Sequence, residues 1–484
     1  MKRLALGLVF TLSSFGIGYA GEPIKALVLD SGSDFTHEVL APHALPNIAE
    51  ANGIQGLDDD NNGYIDDVYG WNFVENNNVL VDLTSTPPDY DHILYLMKLL
   101  GILQAEGKEA LTAAEFKELV TAYNDKKVWA WVSFTGGWAH GTHCAGIMSE
   151  NNPNLKLNAI RHIPTGAAPQ QLAHDALLNI KAMLLHRETA VTEGSGENDN
   201  ASAGKKVTLE QLEQLFTQLG QQYAAGVAEK AAYLGSFKPR VVNCSFGSEN
   251  KALCAAFKKN MIAEWGWTNP TDEEVQQVVN LFVSKALLQK DLALFSHCKD
   301  ALFCIAAGNS SEDLDDIVTS PNDVPIENKL VVAATDHNRK LAAFSCHGTT
   351  KVDVAVPGVN IFSTYPNGKM GFMSGTSMAC PMAARFATQV LEANDALSPI
   401  ELKRILMGTV DKKDWLADKV RSGGVINPNR AIRAAELVKA GKTIEEAIAE
   451  AHLEVPDVAV RRSRFKGPDL NDKQVRDIYF SGVF

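Results

Sequence analysis

The sequence predicts an α/β protein, a three-layer sandwich on a mostly parallel central sheet with helical insertions. Three observations carry this. Short apolar runs without polar alternation recur along the chain, as strands buried on both faces require. Stretches with helical patterning separate them, the order that makes neighbouring strands parallel. Residues able to do chemistry follow the runs directly, where an open parallel sheet places its sites.

The elements follow in order. Met1 to Ala20 has basic Lys2 and Arg3, an apolar stretch from Leu4 to Phe15, and small residues at Gly18 and Ala20. That is the pattern of a removable targeting segment, so residues 1–20 are read as a signal peptide and the protein as secreted or periplasmic. Ile24 to Leu29 is the first buried strand, ending at Asp30. Asp91 to Gln104 is an amphipathic helix, and Thr112 with Glu115 opens another through a capping box. Thr208 with Gln211 repeats that signature before a helix from Leu209 to Tyr233. Residues 192–206, rich in Gly, Ser, Asn and Glu, read as a mobile loop or nicking site. Val241 to Asn243, Ala301 to Ala306 and Lys329 to Ala334 are further strands, and Ala252 to Leu294 is helical. Helices are expected after His140 and from Met378 towards Ala393. The chain thus divides into residues 21–437, with insertions near 85–130 and 190–295, and a charged tail over 438–484.

Composition narrows the function. A hydrophobic fraction of 45% with 21% charged residues describes a globular chain able to bury a core. A net charge of -13, without a useful Lys/Arg run, argues against a nucleic-acid partner. No later run is long and apolar enough for a membrane span. Seven cysteines is an odd number, so one thiol at least stays unpaired within a monomer. Cys254 and Cys298, away from the motifs below, are the disulfide candidates.

Four motifs carry the chemistry. Gly375-Thr376-Ser377-Met378-Ala379, with Pro381 beyond, sets a serine among small residues where a loop becomes a helix. Small neighbours let the backbone turn and let a carbonyl approach the hydroxyl. Asp30-Ser31-Gly32 offers an orienting carboxylate, His140-Gly141-Thr142-His143 a base, and Ala306-Ala307-Gly308-Asn309 an amide donor. A fifth segment, Asp58 to Asp67, spaces oxygen ligands at Asp58, Asp60 and Asn62 before the turn at Gly63. It copies the first half of an EF-hand loop, with Tyr69 where a bidentate glutamate would close the shell, so Asp66 or Asp67 must do so. The expected ion is calcium.

These motifs, in the chain order Asp30, His140, Ser377, resemble the subtilisin-like serine proteases, the subtilases. His-Gly-Thr-His with Ala145-Gly146, Phe344-Ser345, Val356-Pro357-Gly358 and Gly424-Val425-Ile426-Asn427 add to the likeness, which covers most of residues 23 to 435. The resemblance implies a serine endopeptidase acting on polypeptides through an acyl-enzyme. His140, the first of the histidine pair, is then the base, Asp30 holds its tautomer, and Ser377 attacks. Asn309 and the Ser377 backbone N–H would hold the oxyanion; losing one such donor costs about 2.7–4 kcal/mol, a range set by subtilisin itself. Ser245-Phe246-Gly247 and Ala306-Ala307-Gly308 align with the walls of the primary specificity pocket, and small walls without an acid imply an apolar or aromatic preference. The acidic segment running into Gly70-Trp71-Asn72-Phe73 also matches family members that bind calcium there. Cys144 after His143 matches the thiol-bearing branch, with mercurial sensitivity as a consequence; a Cys144–Cys380 disulfide is a further option.

The chain also departs from the family. No pro-domain fits between Ala20 and the first strand, so the chain folds unaided, or a separate inhibitor or chaperone acts, or the insertions and tail do. Cys380-Pro381-Met382 replaces the usual Ser-Pro-His, and Arg385 replaces a glycine. Two alternatives stand beside the protease: a non-catalytic or latent relative that binds peptides, and a transpeptidase using the same acyl-enzyme.

Overall fold

The computed structural model describes residues 22–165, 206–460 and 466–484. The targeting segment and most of the loop at 192–206 therefore lie outside the described residues. Along the described chain the strands are β1 Ile24–Asp30, β2 Gly70–Asn72, β3 Leu155–Arg161, β4 Val241–Cys244, β5 Leu302–Ala306 and β6 Lys329–Thr335. Then come β7 Val354–Pro357, β8 Ile361–Tyr365, β9 Lys369–Met373, β10 Asp411–Lys412 and β11 Gly424–Val425. The helices are α1 Ile48–Ala51, α2 Tyr90–Glu106, α3 Ala113–Asn124, α4 Lys126–Ser149, α5 Leu209–Gly226, α6 Ala228–Ser236 and α7 Asn250–Ala263. They continue with α8 Asp272–Phe282, α9 Leu288–Phe295, α10 Thr376–Ala393, α11 Pro399–Gly408, α12 Pro428–Lys439, α13 Ile444–Glu454 and α14 Lys473–Ser481.

Nine strands form one sheet in the order β10-β11-β7-β6-β5-β4-β1-β3-β2, and β8 pairs with β9 as a separate hairpin. Within the large sheet only β10 against β11 is antiparallel. The order reverses between β1 and β4: β3 and β2 extend to one side, β5 to β7 to the other. A crevice opens at the carboxyl ends of strands at such a reversal.

Side-chain alternation along β1 splits the interior in two. Ala26 and Val28 join a core with Ala139, Cys144 and Met148 of α4 and Ala379 and Ala383 of α10. Leu27 and Leu29 join the opposite core, with Phe216 of α5, Phe257 of α7 and Phe282 of α8. Neighbouring residues of a strand face opposite sides, so both faces must be apolar, as the unalternating sequence implied. This makes a three-layer α/β sandwich. The described part of the insertion near 190–295 is not surface decoration: α5 to α9 are the second helical layer.

Three helix expectations need correction. The helix expected after His140 begins at Lys126, because Asp125 caps it by accepting from the Lys127 and Val128 amides and no proline interrupts it. The expected helix from Leu209 to Tyr233 breaks at Val227, and that from 252 to 294 is three helices. Both capping boxes, at Thr112 and Thr208, form. All seven cysteines are free thiols, Cys254 and Cys298 included. Cys254 turns its Sγ to Asn250 and Gln276, while Cys298 is buried beyond α9.

The tail is built into the body. Ile444, Ala447 and Ala451 of α13 enter the first core. Val475 and Ile478 of α14 close a third, small core with Leu99, Leu100 and Leu103 of α2 and Leu119 of α3.

Candidate active site

Asp30 ends β1 in the crevice and is fully buried. Gly32 then turns the chain with φ 97°, a left-handed conformation that favours glycine. Its carbonyl lies so close to Gly141 that a Cβ there would sit 2.2 Å away. The two motif glycines thus let the β1 loop touch α4. Ser31 Oγ accepts from the Gly141 amide at 3.1 Å, and Ser33 Oγ donates to the Gly141 carbonyl at 3.1 Å. Across this contact His140 Nδ1 donates to Asp30 Oδ1 at 2.7 Å.

The two histidines differ sharply. Burial works against the His140 imidazolium, but the charge and hydrogen bond of Asp30 outweigh it and hold His140 above its ordinary value. His143 is pushed down to about 3, first by burial and then by the charge of His140. Its Nε2 donates to the Ile361 carbonyl at 3.1 Å, away from the crevice.

Ser377 lies in the first turn of α10. Pro381 has no N–H, so the Ser377 carbonyl loses its helical partner. That freed carbonyl accepts from Ser245 Oγ at 3.0 Å and from Cys144 Sγ at 3.4 Å. The Ser377 backbone is thereby tied to β4 and α4 together. Its hydroxyl donates to the Ser245 carbonyl at 3.2 Å rather than to the His140 ring. Cys144 Sγ stands 4.0 Å from His140 Nδ1, and burial drives its thiol well up, so it is a neutral filler beneath the base.

Asn309 follows β5 and Gly308, whose φ is 110°. Its Oδ1 accepts from Thr376 N and Thr376 Oγ1, both at 2.9 Å. That fixes the amide with Nδ2 pointing into the crevice. There Nδ2 donates to the Phe484 carbonyl at 3.1 Å.

A cavity of about 100 Å³ beside Ser377 is lined by Phe246, Gly247, Ala306, Ala307 and Gly308 among others. Ser245 stands behind it, holding Ser377. Sequence reasoning missed Glu249 and Glu312, which also line it. Burial first, then the charge of Glu312, holds Glu249 above the usual carboxylate range. Thr376 was missed as well, although it sits inside the serine motif; its role depends on a contact spanning 67 residues.

The acidic segment is held by its own carboxylates. Asp58 accepts from the Asn62 and Gly63 amides, and Asp66 from the Gly56 amide. Asn62 Nδ2 donates to Asp60 and Asp67. The oxygens that converge within 4.8 Å belong to Glu50, Asp60 and Asp67. Asp67 is buried, and its carboxyl is held up first by that burial, with Asp60 adding to it. Glu50, on α1, carried no sequence signal because it lies outside the loop.

A model described as the subtilase family matches residues 21–425. The chain is 22% identical to subtilisin-like protease 1 of Plasmodium vivax over 439 residues, covering 87% of this chain and 49% of that protein. It is 32% identical over 185 residues to the extracellular basic protease of Dichelobacter nodosus, covering 34% of this chain and 29% of that one. To subtilisin Savinase of Lederbergia lenta it is 34% identical over 106 residues, covering 22% and 38%. The chain thus spans about half the length of the Plasmodium vivax relative, and less of the other two. Among solved structures, a cold-adapted subtilisin-like serine proteinase aligns over 85% of this chain and 90% of that one, at 18% identity and TM-score 0.41. No helix among the described residues is long and apolar enough to cross a membrane. With its family match running from residue 21 to 425, the chain belongs to the subtilase family.

Proposed function

We propose that this chain is an exported serine endopeptidase that hydrolyses polypeptides through an acyl-enzyme on Ser377. The observation that carries the reading is the buried 2.7 Å bond between Asp30 and His140, with Ser377 and Asn309 tied into the same crevice. A serine hydroxyl needs a base to attack at neutral pH. Once turned from the Ser245 carbonyl, the Ser377 hydroxyl would give its proton to His140, which returns it to the leaving amine. Asp30 keeps the proton on Nδ1 and stabilises the imidazolium. Asn309 Nδ2 and the Ser377 N–H receive the oxyanion. The side chain before the scissile bond enters the small-walled cavity, where Glu249 and Glu312 favour a polar or cationic end over the wholly apolar one that the walls alone imply.

The acidic loop fits a calcium ion. Three carboxylates converge, two of them on buried residues, and a hard cation answers their repulsion. Glu50, Asp60 and Asp67 would hold it, beside the Asp58, Asn62 and Asp66 of the sequence motif, and the ion would supply charge compensation rather than chemistry.

Labelling the purified chain with a fluorophosphonate probe tests the reading. The wild type should label at a serine and Ser377→Ala should not. Equal labelling of both, or none in a folded, calcium-loaded wild type freed of residues 482–484, counts against a protease. A latent relative is the second reading, favoured by the bond that Asn309 Nδ2 already makes to the Phe484 carbonyl.

A further inference from the structure

The bond from Asn309 Nδ2 to the Phe484 carbonyl has no counterpart in the mechanism, because it sets a carbonyl of the chain itself against the amide that the oxyanion needs. It is one of several contacts at this spot. The Phe484 amide donates to the Ser374 carbonyl at 2.9 Å, just past β9 on the segment that leads to Ser377. A Cβ on Gly375 would lie 1.8 Å from the Phe484 carbonyl oxygen, so only glycine admits this approach. The Phe484 ring rests on Gly136, where a Cβ would come within 2.0 Å of a ring carbon. Gly136 precedes His140 by four residues on α4, so the ring lies on the helix face that carries the base. We propose that the crevice holds an aromatic-accepting subsite floored by Gly136, and that Phe484 fills it as an intramolecular inhibitor which substrate must displace.

The approach of the segment is anchored well away from the site. Gln104, buried in α2, donates through Nε2 to the Tyr479 and Gly482 carbonyls at 2.9 and 3.1 Å. A Cβ on Gly482 would meet Leu100 at 1.9 Å, and Val475 and Ile478 pack against Leu99, Leu100 and Leu103. The helix is therefore docked on the insertion at 85–130, and residues 482–484 reach the crevice from it. A tethered segment meets its site at an effective concentration of order mM, so a modest intrinsic affinity keeps the subsite filled. Asn309 Nδ2 carries two N–H donors, so the block comes from the Phe484 carbonyl standing at the amide where a substrate carbonyl must come.

The subsite stands on geometry alone; its inhibitory consequence rests on the protease reading. The test compares the full chain, a chain lacking residues 482–484, Phe484→Ala and Gly136→Ala, each checked for folding by circular dichroism. The three altered chains should label with fluorophosphonate about tenfold faster or more than the full chain, the gain expected when a tethered competitor leaves. Added Ser-Gly-Val-Phe peptide should slow the shortened chain and leave the full chain unaffected. Folded variants that label at the wild-type rate would overturn the proposal. If no chain labels, the protease reading falls, and polarisation of a fluorescent Ser-Gly-Val-Phe peptide decides the subsite. Binding to the shortened chain but not to the full chain sustains it; equal binding to both, or to neither, overturns it.

Discussion

His140 and His143 stand three residues apart on α4, yet their surroundings suit one to the proposed role of base and the other to a structural place. Activity needs neutral His140, and Asp30 holds the protonated form to a higher pH than usual. The acid limb of kcat/KM should therefore lie above the ordinary histidine value of 6.5. Asp30→Asn should move that limb down and lower kcat by about 10⁴. His143→Gln should leave the limb in place, since a group held near 3 is neutral throughout. A pH profile of the three proteins checks this, and an unshifted limb in Asp30→Asn would count against the pairing. At this scale the sequence was readable where a motif is local. Asp30, Ser377 and Asn309 each announce themselves through small neighbours, but the choice of His140 over His143 came only from family resemblance. Thr376, Glu249, Glu312 and Phe484 gain their places from contacts between distant segments, for which a single sequence has no signal.

At the scale of elements, α10 shows how a helix can hold a nucleophile by omitting a bond. The carbonyl that Pro381 leaves free recruits Ser245 and Cys144, drawing β4, α4 and α10 together under Ser377. Ser245→Ala should cost about 1 kcal/mol of stability, the net worth of one such hydrogen bond, and lower kcat as the serine loosens. Pro381→Ala returns a helical amide to the same carbonyl, so the effects of the two substitutions should not add. Denaturant melts of both single variants and the double variant measure that coupling; simple additivity would show that the carbonyl is not the shared partner. The strands were legible here because unalternating apolar runs admit few other structures. Helix limits were less so: the Asp125 cap and the break at Val227 depend on which turn wins locally, and α4 gains fourteen residues before His140.

For the molecule as a whole, three cores divide the labour. Two lie on the faces of the sheet, and the third joins α2, α3 and α14. The sandwich was foreseeable from strand patterning, whereas the part of α5 to α9 as a full layer was not, because amphipathic helices look alike whether they cover a sheet or a surface. The acidic loop binds this architecture at one corner. Asp67 accepts from Tyr233 Oη of α6 at 2.7 Å, and Glu50 of α1 accepts from the Asp59, Asp60 and Asp66 amides. Tyr233 in turn packs on Tyr64 and Phe73 at 4.5 and 5.5 Å between ring centres. A cation at Glu50, Asp60 and Asp67 would thus tie the loop to the second helical layer. Because an ion bound to the folded state alone stabilises it by mass action, calcium at a hundredfold excess over its Kd should add about 2.7 kcal/mol. The melting temperature should rise by several degrees on adding calcium and fall back with chelator. Asp67→Asn should abolish most of that rise while melting no lower than chelated wild type, since it removes a charge that repels Asp60. A melting temperature indifferent to calcium in the wild type would leave the three carboxylates without a metal role, and the loop would then be held by Glu50 and Tyr233 alone.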